Sequence, residues 1–228
     1  MSVLSTGEIR RRLTLPHDDP ERITITPLLS PHLDAGTLDV RLGRHFVTFR
    51  KTRYLGVNVM QTIRDAARLS ATGRRDQLRI DVGRTVERTY VRLGDEFVLH
   101  PYQLVLACTL EFLSLPADVG AYVLSRSTTG RLGILSATAT FIHPGYRGVP
   151  TLELVNTGET AVAITPGMRI AQLVFELAQE SEEALTRGRY QLSTRPEIAR
   201  LTNDPELQLL ASLDRPDGHT SRTPVAEA

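Results

Sequence analysis

Apolar residues in this chain recur mostly at every second position, the spacing of β-strands rather than helices. Residues 36–43 show it most cleanly: Leu38, Val40 and Leu42 share one face, Asp39 and Arg41 the other. Short alternating or apolar runs follow at 23–26, 45–49, 78–82, 89–91, 97–99, 104–110, 120–124, 151–155, 161–164 and 169–175. Turn-forming clusters punctuate them, among them R-L-G-D at 92–95, H-P at 100–101 and L-P-A-D at 115–118. Many short strands so spaced predict a barrel or jelly-roll. Pro166-Gly167 suits the centre of a type II turn and predicts a late hairpin joining 161–164 to 169–175.

Helical signals are few. Ser5 and Glu8 form a capping-box pattern, with Leu4 and Ile9 placed as a hydrophobic staple, and predict a helix to about residue 13. Prolines at 16 and 20 end it. Residues 64–69 suit a helical turn, 70–75 an exposed loop and 179–185 an acidic helix. Asp204 and Pro205 predict a last helix with Leu207, Leu210 and Leu213 on its apolar side. Residues 214–228 read as a polar, disordered tail. The expectation is a single domain over 1–213, with a C-terminal extension over about 177–213.

Composition narrows the chemistry. At 228 residues the chain can bury a sizeable core. Its net charge of +1 gives no electrostatic case for nucleic acid or a membrane surface. Lys51 is the only lysine, so the basic side is almost all arginine. Cys108 is the only cysteine and sits in the apolar run V-L-A-C-T-L, which suggests an inert buried thiol and fits a reducing, cytoplasmic setting. No secretory signal is read in the charged first 13 residues, and no apolar run approaches the ~18–20 residues of a membrane span. The H-x-E and P-C-x-x-C blocks of zinc nucleobase deaminases are missing.

Candidate chemistry concentrates in residues 125–156. S-R-S-T-T-G-R-L-G brings Arg126, Ser127, Thr128, Thr129, Gly130 and Arg131 into one short loop. Forked cations among hydroxyls suit a polyanion, and a turn at Gly130 lets the two arginines converge on phosphates. Glu153, in T-L-E-L-V, shares a strand face with Thr151 and Val155, opposite Leu152 and Leu154. A lone carboxyl in an apolar run suits a proton shuttle, because burial raises a carboxyl pKa towards neutrality. A solvated strand glutamate and a polar loop are the plainer readings of the same residues.

Five blocks in order resemble the dCTP deaminase branch of the dUTPase-like superfamily: A-G-T-L-D-V-R-L-G, S-R-S-T-T-G-R-L-G, T-A-T-F-I-H-P-G-Y-R-G, T-L-E-L-V-N and P-G-M-R-I-A-Q-L-V-F-E. The resemblance implies an all-β, distorted jelly-roll or dUTPase-like barrel with a few short helices. It implies a homotrimer with sites at subunit interfaces and a nucleoside triphosphate substrate accompanied by Mg2+; the missing blocks imply no zinc, and the balanced charge and short apolar runs no nucleic-acid or membrane partner. It makes Glu153 the general acid and base, with Ser127 and Arg131 ordering the reacting centre. Residues 126–131 contact phosphates on this reading. The carbonyl of Ala139 holds the attacking water, and Thr151 and Leu152 lie along the base.

Three departures stand against that pattern. His143 replaces the aspartate expected to reach the deoxyribose 3′-hydroxyl. Residues 134–137 are one fewer than the family usually has between its glycine and T-A pair. In the lid-like stretch R-Y-Q-L-S, Arg189 keeps a cation, but Leu192 and Ser193 replace glycine and glutamine. The expected function is deamination of dCTP to dUTP and ammonia. The alternatives are a bifunctional enzyme giving dUMP and a nucleotide-binding relative with altered specificity or lost catalysis.

Overall fold

In the computed structural model, residues 2–29, 33–34, 36–50, 59–60, 63–64, 86–136, 141–178, 191–199 and 205–213 are described. The expected strand at 78–82, the acidic helix at 179–185, the tail at 214–228, Ala139 and Arg189 lie outside them. The chain divides into two compact units, residues 1–50 with 86–198 and residues 51–85 with 199–228.

The first unit carries helix α1 (Thr6–Thr14) and strands β1 (Thr24–Thr26), β2 (Leu33–Asp34), β3 (Thr37–Arg41), β4 (His45–Phe49), β5 (Val86–Tyr90), β6 (Phe97–Leu99), β7 (Leu104–Cys108) and β8 (Phe112–Ser114). Then come β9 (Val119–Ser125), the single-turn helix α2 (Ser127–Gly130), β10 (Ile134–Ser136), β11 (Phe141–Ile142), β12 (Arg147–Gly148), β13 (Thr151–Asn156), β14 (Val162–Ile164) and β15 (Arg169–Leu177). Helix α3 (Pro205–Ser212) lies in the second unit.

Two antiparallel five-stranded sheets dominate, ordered β10-β13-β7-β4-β5 and β11-β9-β15-β3-β2. A three-stranded sheet β1-β8-β12 and the pair β14-β6 complete the described strands. The all-β class is as expected, built as packed sheets rather than one closed barrel among the described residues. Both large sheets turn alternate residues into one core: Leu38, Val40, Val123, Leu173 and Phe175 from one, Phe46, Val105, Ala107, Leu152 and Leu154 from the other. Truncating any such leucine to alanine costs on the order of 2–5 kcal/mol.

The strand that passes from one sheet to the other does so at Gly43. Its amide donates to the Cys108 carbonyl at 2.7 Å, and a Cβ there would stand 2.8 Å from that oxygen, from Cys108 Sγ and from the Thr109 carbonyl. No side chain fits without moving backbone, so glycine is fixed by close approach.

The cap on α1 is made as read: the Glu8 amide donates to Ser5 Oγ at 3.2 Å. Glu8 does not close the box with its own carboxylate. Arg11 and Arg12 take that group at 2.7 and 2.8 Å and hold its pKa down at about 2. Arg12 in turn makes a two-pronged pair with Asp118 at 2.9 and 2.7 Å, which docks α1 on the β-sheet unit.

The late hairpin does not form. β14 pairs with β6, and β15 lies between β9 and β3. The turn itself is present, with Gly167 at φ 92°, but its amide donates to the Leu42 carbonyl and its neighbours send the strands into different sheets. On α3, Leu210 and Leu213 are exposed and only Leu207 is half-buried, so the expected apolar side is not covered. No helix among the described residues is long and apolar enough to cross a membrane.

Candidate active site

β13 is split by its pleat. Leu152, Leu154 and Asn156 are buried, whereas Thr151, Glu153 and Val155 are half-buried on the other face. The Asn156 amide fixes the end of the strand, donating to the Leu99 and Thr160 carbonyls and accepting from the Gly158 amide. Glu153 is paired across to Leu106 on β7, and Leu106 to Val47 on β4. Those two residues belong to a small second apolar cluster with Val86, against which Ile198 packs. The Glu153 carboxyl therefore stands at the rim of an apolar patch, and among the described residues it has no hydrogen bond or ion pair.

Residues 191–198 form a strap beside this face. Leu192 N–H donates to the Arg147 carbonyl at 2.6 Å, Val149 N–H to the Ser193 carbonyl at 2.7 Å and Glu197 N–H to Thr151 Oγ1 at 3.0 Å. Ser193 is buried, and its hydroxyl donates to Glu197 Oε1 at 3.0 Å. The structure thus seats Ser193 against β12. Leu192 takes φ 60° at the position where the resembled family has glycine. Below the strap, burial pushes the Cys108 thiol up to about 11, an inert state at neutral pH. Burial also pushes the Tyr146 hydroxyl up, helped by Cys108 and Glu197. His45 is pushed down by burial and by Arg195 and Arg44.

The arginine loop is α2 and its flanks. Arg126 is the N-cap residue and Arg131 the C-cap residue. Ser127, Thr128 and Arg131 are exposed, and a helix leaves its first amides without internal acceptors, so hydroxyls, amides and a guanidinium face outward together. Thr129 is different: it is buried, with its hydroxyl donating to the Arg126 carbonyl at 2.9 Å. It locks the loop rather than presenting a ligand group. The turn expected at Gly130 is made at Gly133 instead. Gly130 is helical, its amide bonded to the Arg126 carbonyl, whereas Gly133 has φ 83°.

Loop and strand are braced to each other. The Ser136 amide donates to Ser125 Oγ at 2.9 Å, which closes the two flanks of α2. β10 then pairs with β13, Ser136 against Leu154, and the Thr157 amide bonds the Gly133 carbonyl at 2.8 Å. The cation loop and the Glu153 strand thus share one scaffold.

His143 is exposed, edge-on to Phe141 at 5.3 Å between ring centroids, at the start of a turn closed by the Tyr146 amide. Two residues outside the sequence-derived set also reach the loop. Asp39, almost fully buried, accepts from Arg126 Nε at 3.1 Å and from Arg169 Nη1 at 3.3 Å. The polar face of the alternating 36–43 run carried Asp39 in plain view, but nothing local named its partners. Among the described residues no group of three or more His, Cys, Asp or Glu could hold a metal ion.

The chain is similar to known proteins. A "dCTP deaminase" of Natronomonas pharaonis is 39% identical over 211 residues, covering 90% of this chain and 97% of the relative. A "dCTP deaminase, dUMP-forming" of Halobacterium salinarum is 38% identical over 191 residues, covering 81% and 89%. The crystal structure of the 2′-deoxycytidine 5′-triphosphate deaminase from Agrobacterium tumefaciens shares the fold, with a TM-score of 0.53 at 22% identity, over 77% of this chain and 48% of that one. The family description "dCTP deaminase-like" matches residues 3–178, which span α1, both large sheets, the arginine loop and the Glu153 strand; the chain belongs to that family.

Proposed function

We propose that this chain hydrolyses the exocyclic amine of a cytosine deoxynucleotide, converting dCTP and water to dUTP and ammonia. The observation that carries the reading is Glu153 on the half-buried face of β13, at an apolar rim and braced to the arginine loop. Relatives named dCTP deaminase support the substrate.

In this mechanism Glu153 takes a proton from water as the water oxygen bonds to C4. The Ala139 carbonyl holds that water, and Ser127 and Arg131 order the centre. Glu153 then protonates ring N3. The tetrahedral carbon collapses as Glu153 takes the proton of the C4 hydroxyl and passes it to the amine, the C4–N bond breaks, and ammonia leaves a C4 carbonyl. One carboxyl suffices because the transfers are sequential. Zinc has no part: the chain lacks the cysteine and histidine blocks of zinc deaminases. Arg126, Ser127, Thr128 and Arg131 hold the triphosphate, which arrives as its Mg2+ complex, while the strand backbone at Thr151 and Leu152 lies along the base. Arg189 acts from the lid. Ser193 joins it only by giving up its bond to Glu197. The active assembly is a homotrimer whose subunits complete one another's sites. The adjacent outward row of Leu135, Val155 and Leu104, two of them exposed leucines, supports a face covered by a second copy.

A second reading, deamination followed by cleavage to dUMP, is favoured by the dUMP-forming relative and opposed by His143 in place of aspartate. One assay decides: dCTP, CTP, dCMP and dUTP are supplied with Mg2+, and ammonia and pyrophosphate are both measured. Ammonia from dCTP without pyrophosphate supports the first reading. Pyrophosphate from dUTP supports the second, and no ammonia from any cytosine nucleotide overturns both.

A further inference from the structure

The start of β15 carries a β-bulge between Arg169 and Ala171. Along β15, Ala171, Leu173 and Phe175 point into the core and Gln172, Val174 and Glu176 away from it. Strict alternation would put Arg169 on the core side. The bulge lets Ile170 be buried as well and returns Arg169 to the face of Asp39. Bulges re-aim side chains in this way next to functional sites.

Asp39 collects the result. One carboxylate oxygen accepts from Arg126 Nε, the other from Arg169 Nη1. Its own side chain is 6% exposed, against 21% for Arg126 and 41% for Arg169. Arg126 Nη1 also reaches the Arg169 carbonyl at 3.4 Å. Arg126 Nη2, with Nε and Nη2 of Arg169, makes no hydrogen bond among the described residues. Two guanidiniums so close would repel; one buried carboxylate offsets half their charge and fixes both forks, leaving a net positive pair with spare donors beside Ser127.

We propose that Asp39 fastens Arg126 and Arg169 into a paired guanidinium that grips the polyphosphate of the nucleotide, Arg169 as a phosphate-binding residue and Asp39 as a positioning one. This rests on the nucleotide reading above. It adds a cation, supplied by β15 rather than by the arginine loop, to the phosphate end of the site.

The test uses the full chain and the variants Arg169→Gln, Arg169→Lys and Asp39→Asn, with kinetics on dCTP, calorimetric binding of dCTP, deoxycytidine and inorganic triphosphate, and thermal melting. Arg169→Gln is expected to raise KM for dCTP about tenfold with kcat held within about twofold. Deoxycytidine binding stays as it was, and Arg169→Lys recovers part of the loss. Asp39→Asn is expected to weaken triphosphate binding more than Arg169→Gln, because both forks lose their anchor. Unchanged KM and triphosphate affinity in Arg169→Gln, with or without a lower Tm, would reduce the cluster to a structural ion pair and sink the proposal. Tighter triphosphate binding by Asp39→Asn would also sink it, since Asp39 would then be a competitor for Arg126. Inorganic triphosphate separates the two levels. If the parent protein releases no ammonia from dCTP, the deaminase reading falls, and the cation pair still stands or falls on that anion.

Discussion

The main-chain amide of Glu197 donates to the hydroxyl of Thr151 at 3.0 Å, and Thr151 lies two residues before Glu153 on the same strand face. The strap is therefore tied to the strand that carries the candidate acid and base. Thr151→Val keeps the shape and removes the acceptor, a loss of about 1 kcal/mol. Hydrogen exchange at the Glu197 amide should accelerate about fivefold in that variant while the amides of Leu152 and Leu154 stay protected. Unchanged exchange at Glu197 would mean the bond is not populated in solution.

Glu153→Gln should abolish ammonia release, by a factor of at least about 10³, and leave dCTP binding within about threefold. The amide keeps the size of the side chain and cannot move protons. Calorimetry and single-turnover ammonia assays separate the two effects. Turnover close to that of the parent protein would remove Glu153 from the mechanism.

His143→Asp should raise selectivity for dCTP over CTP: a fixed carboxylate gives the 3′-hydroxyl that both sugars carry a firm acceptor, which fixes the ring and with it the space left at the 2′ position, where the two differ. The parent protein should cleave dUTP poorly: an imidazole is larger, and misplacing an attacking water by ~1 Å can cost on the order of 100-fold. Paired kinetics on dCTP, CTP and dUTP read both. A sugar preference identical in the two proteins would show that residue 143 does not face the sugar.

Glu111 is buried, and burial pushes its pKa up despite the Arg41 amide that donates to it at 2.9 Å. A raised carboxyl pKa means that the neutral form suits the fold. The stability it contributes is present below the unfolded-state value and lost as pH rises through the folded one. Glu111→Gln, which keeps an acceptor and never ionises, should melt higher than the parent at pH 8, and the gap should close by about pH 4. Glu8 behaves oppositely, since its pKa is held at about 2 by Arg11 and Arg12. Its contribution is present above the usual carboxylate range and fades as pH falls towards 2. Melting curves across pH for both glutamine variants would separate the two, and equal gaps at both pH values would discount Glu111.

Leu192 sits at φ 60°, a left-handed conformation that costs a side-chain-bearing residue about 1 kcal/mol. Leu192→Gly should hold or raise Tm, whereas Leu192→Val, branched at Cβ, should lower it by a few degrees. A lower Tm for glycine than for valine would contradict the left-handed geometry.

Period-two patterning made β13 and the polar face of β3 legible, because each residue's face follows from its neighbours alone. Partner choice was not legible. β14 has the pattern of a hairpin arm, yet its partner is β6, far earlier in the chain. Asp39 and Arg126 are 87 positions apart and meet only because β3 and β9 flank β15. Glycine content alone could not distinguish Gly130 from Gly133; the helical bond from the Gly130 amide decides it. The two-residue strands β11 and β12 were hidden because a proline–glycine turn sits between them. His143 and Leu192 were visible as departures from the family's blocks, but only backbone geometry shows that the second carries strain.

The alternation along β13 also settles how this protein could be redirected. Codons 152, 154 and 156 encode residues locked among core neighbours, and randomising them spends most of a library on chains that do not fold. Codons 151 and 155 encode half-buried positions flanking Glu153 on its own face, so substitutions there change the wall beside that carboxyl without opening the core. A saturation library over those two positions, screened for ammonia from 5-substituted cytosines, is small enough to cover completely on a single plate series.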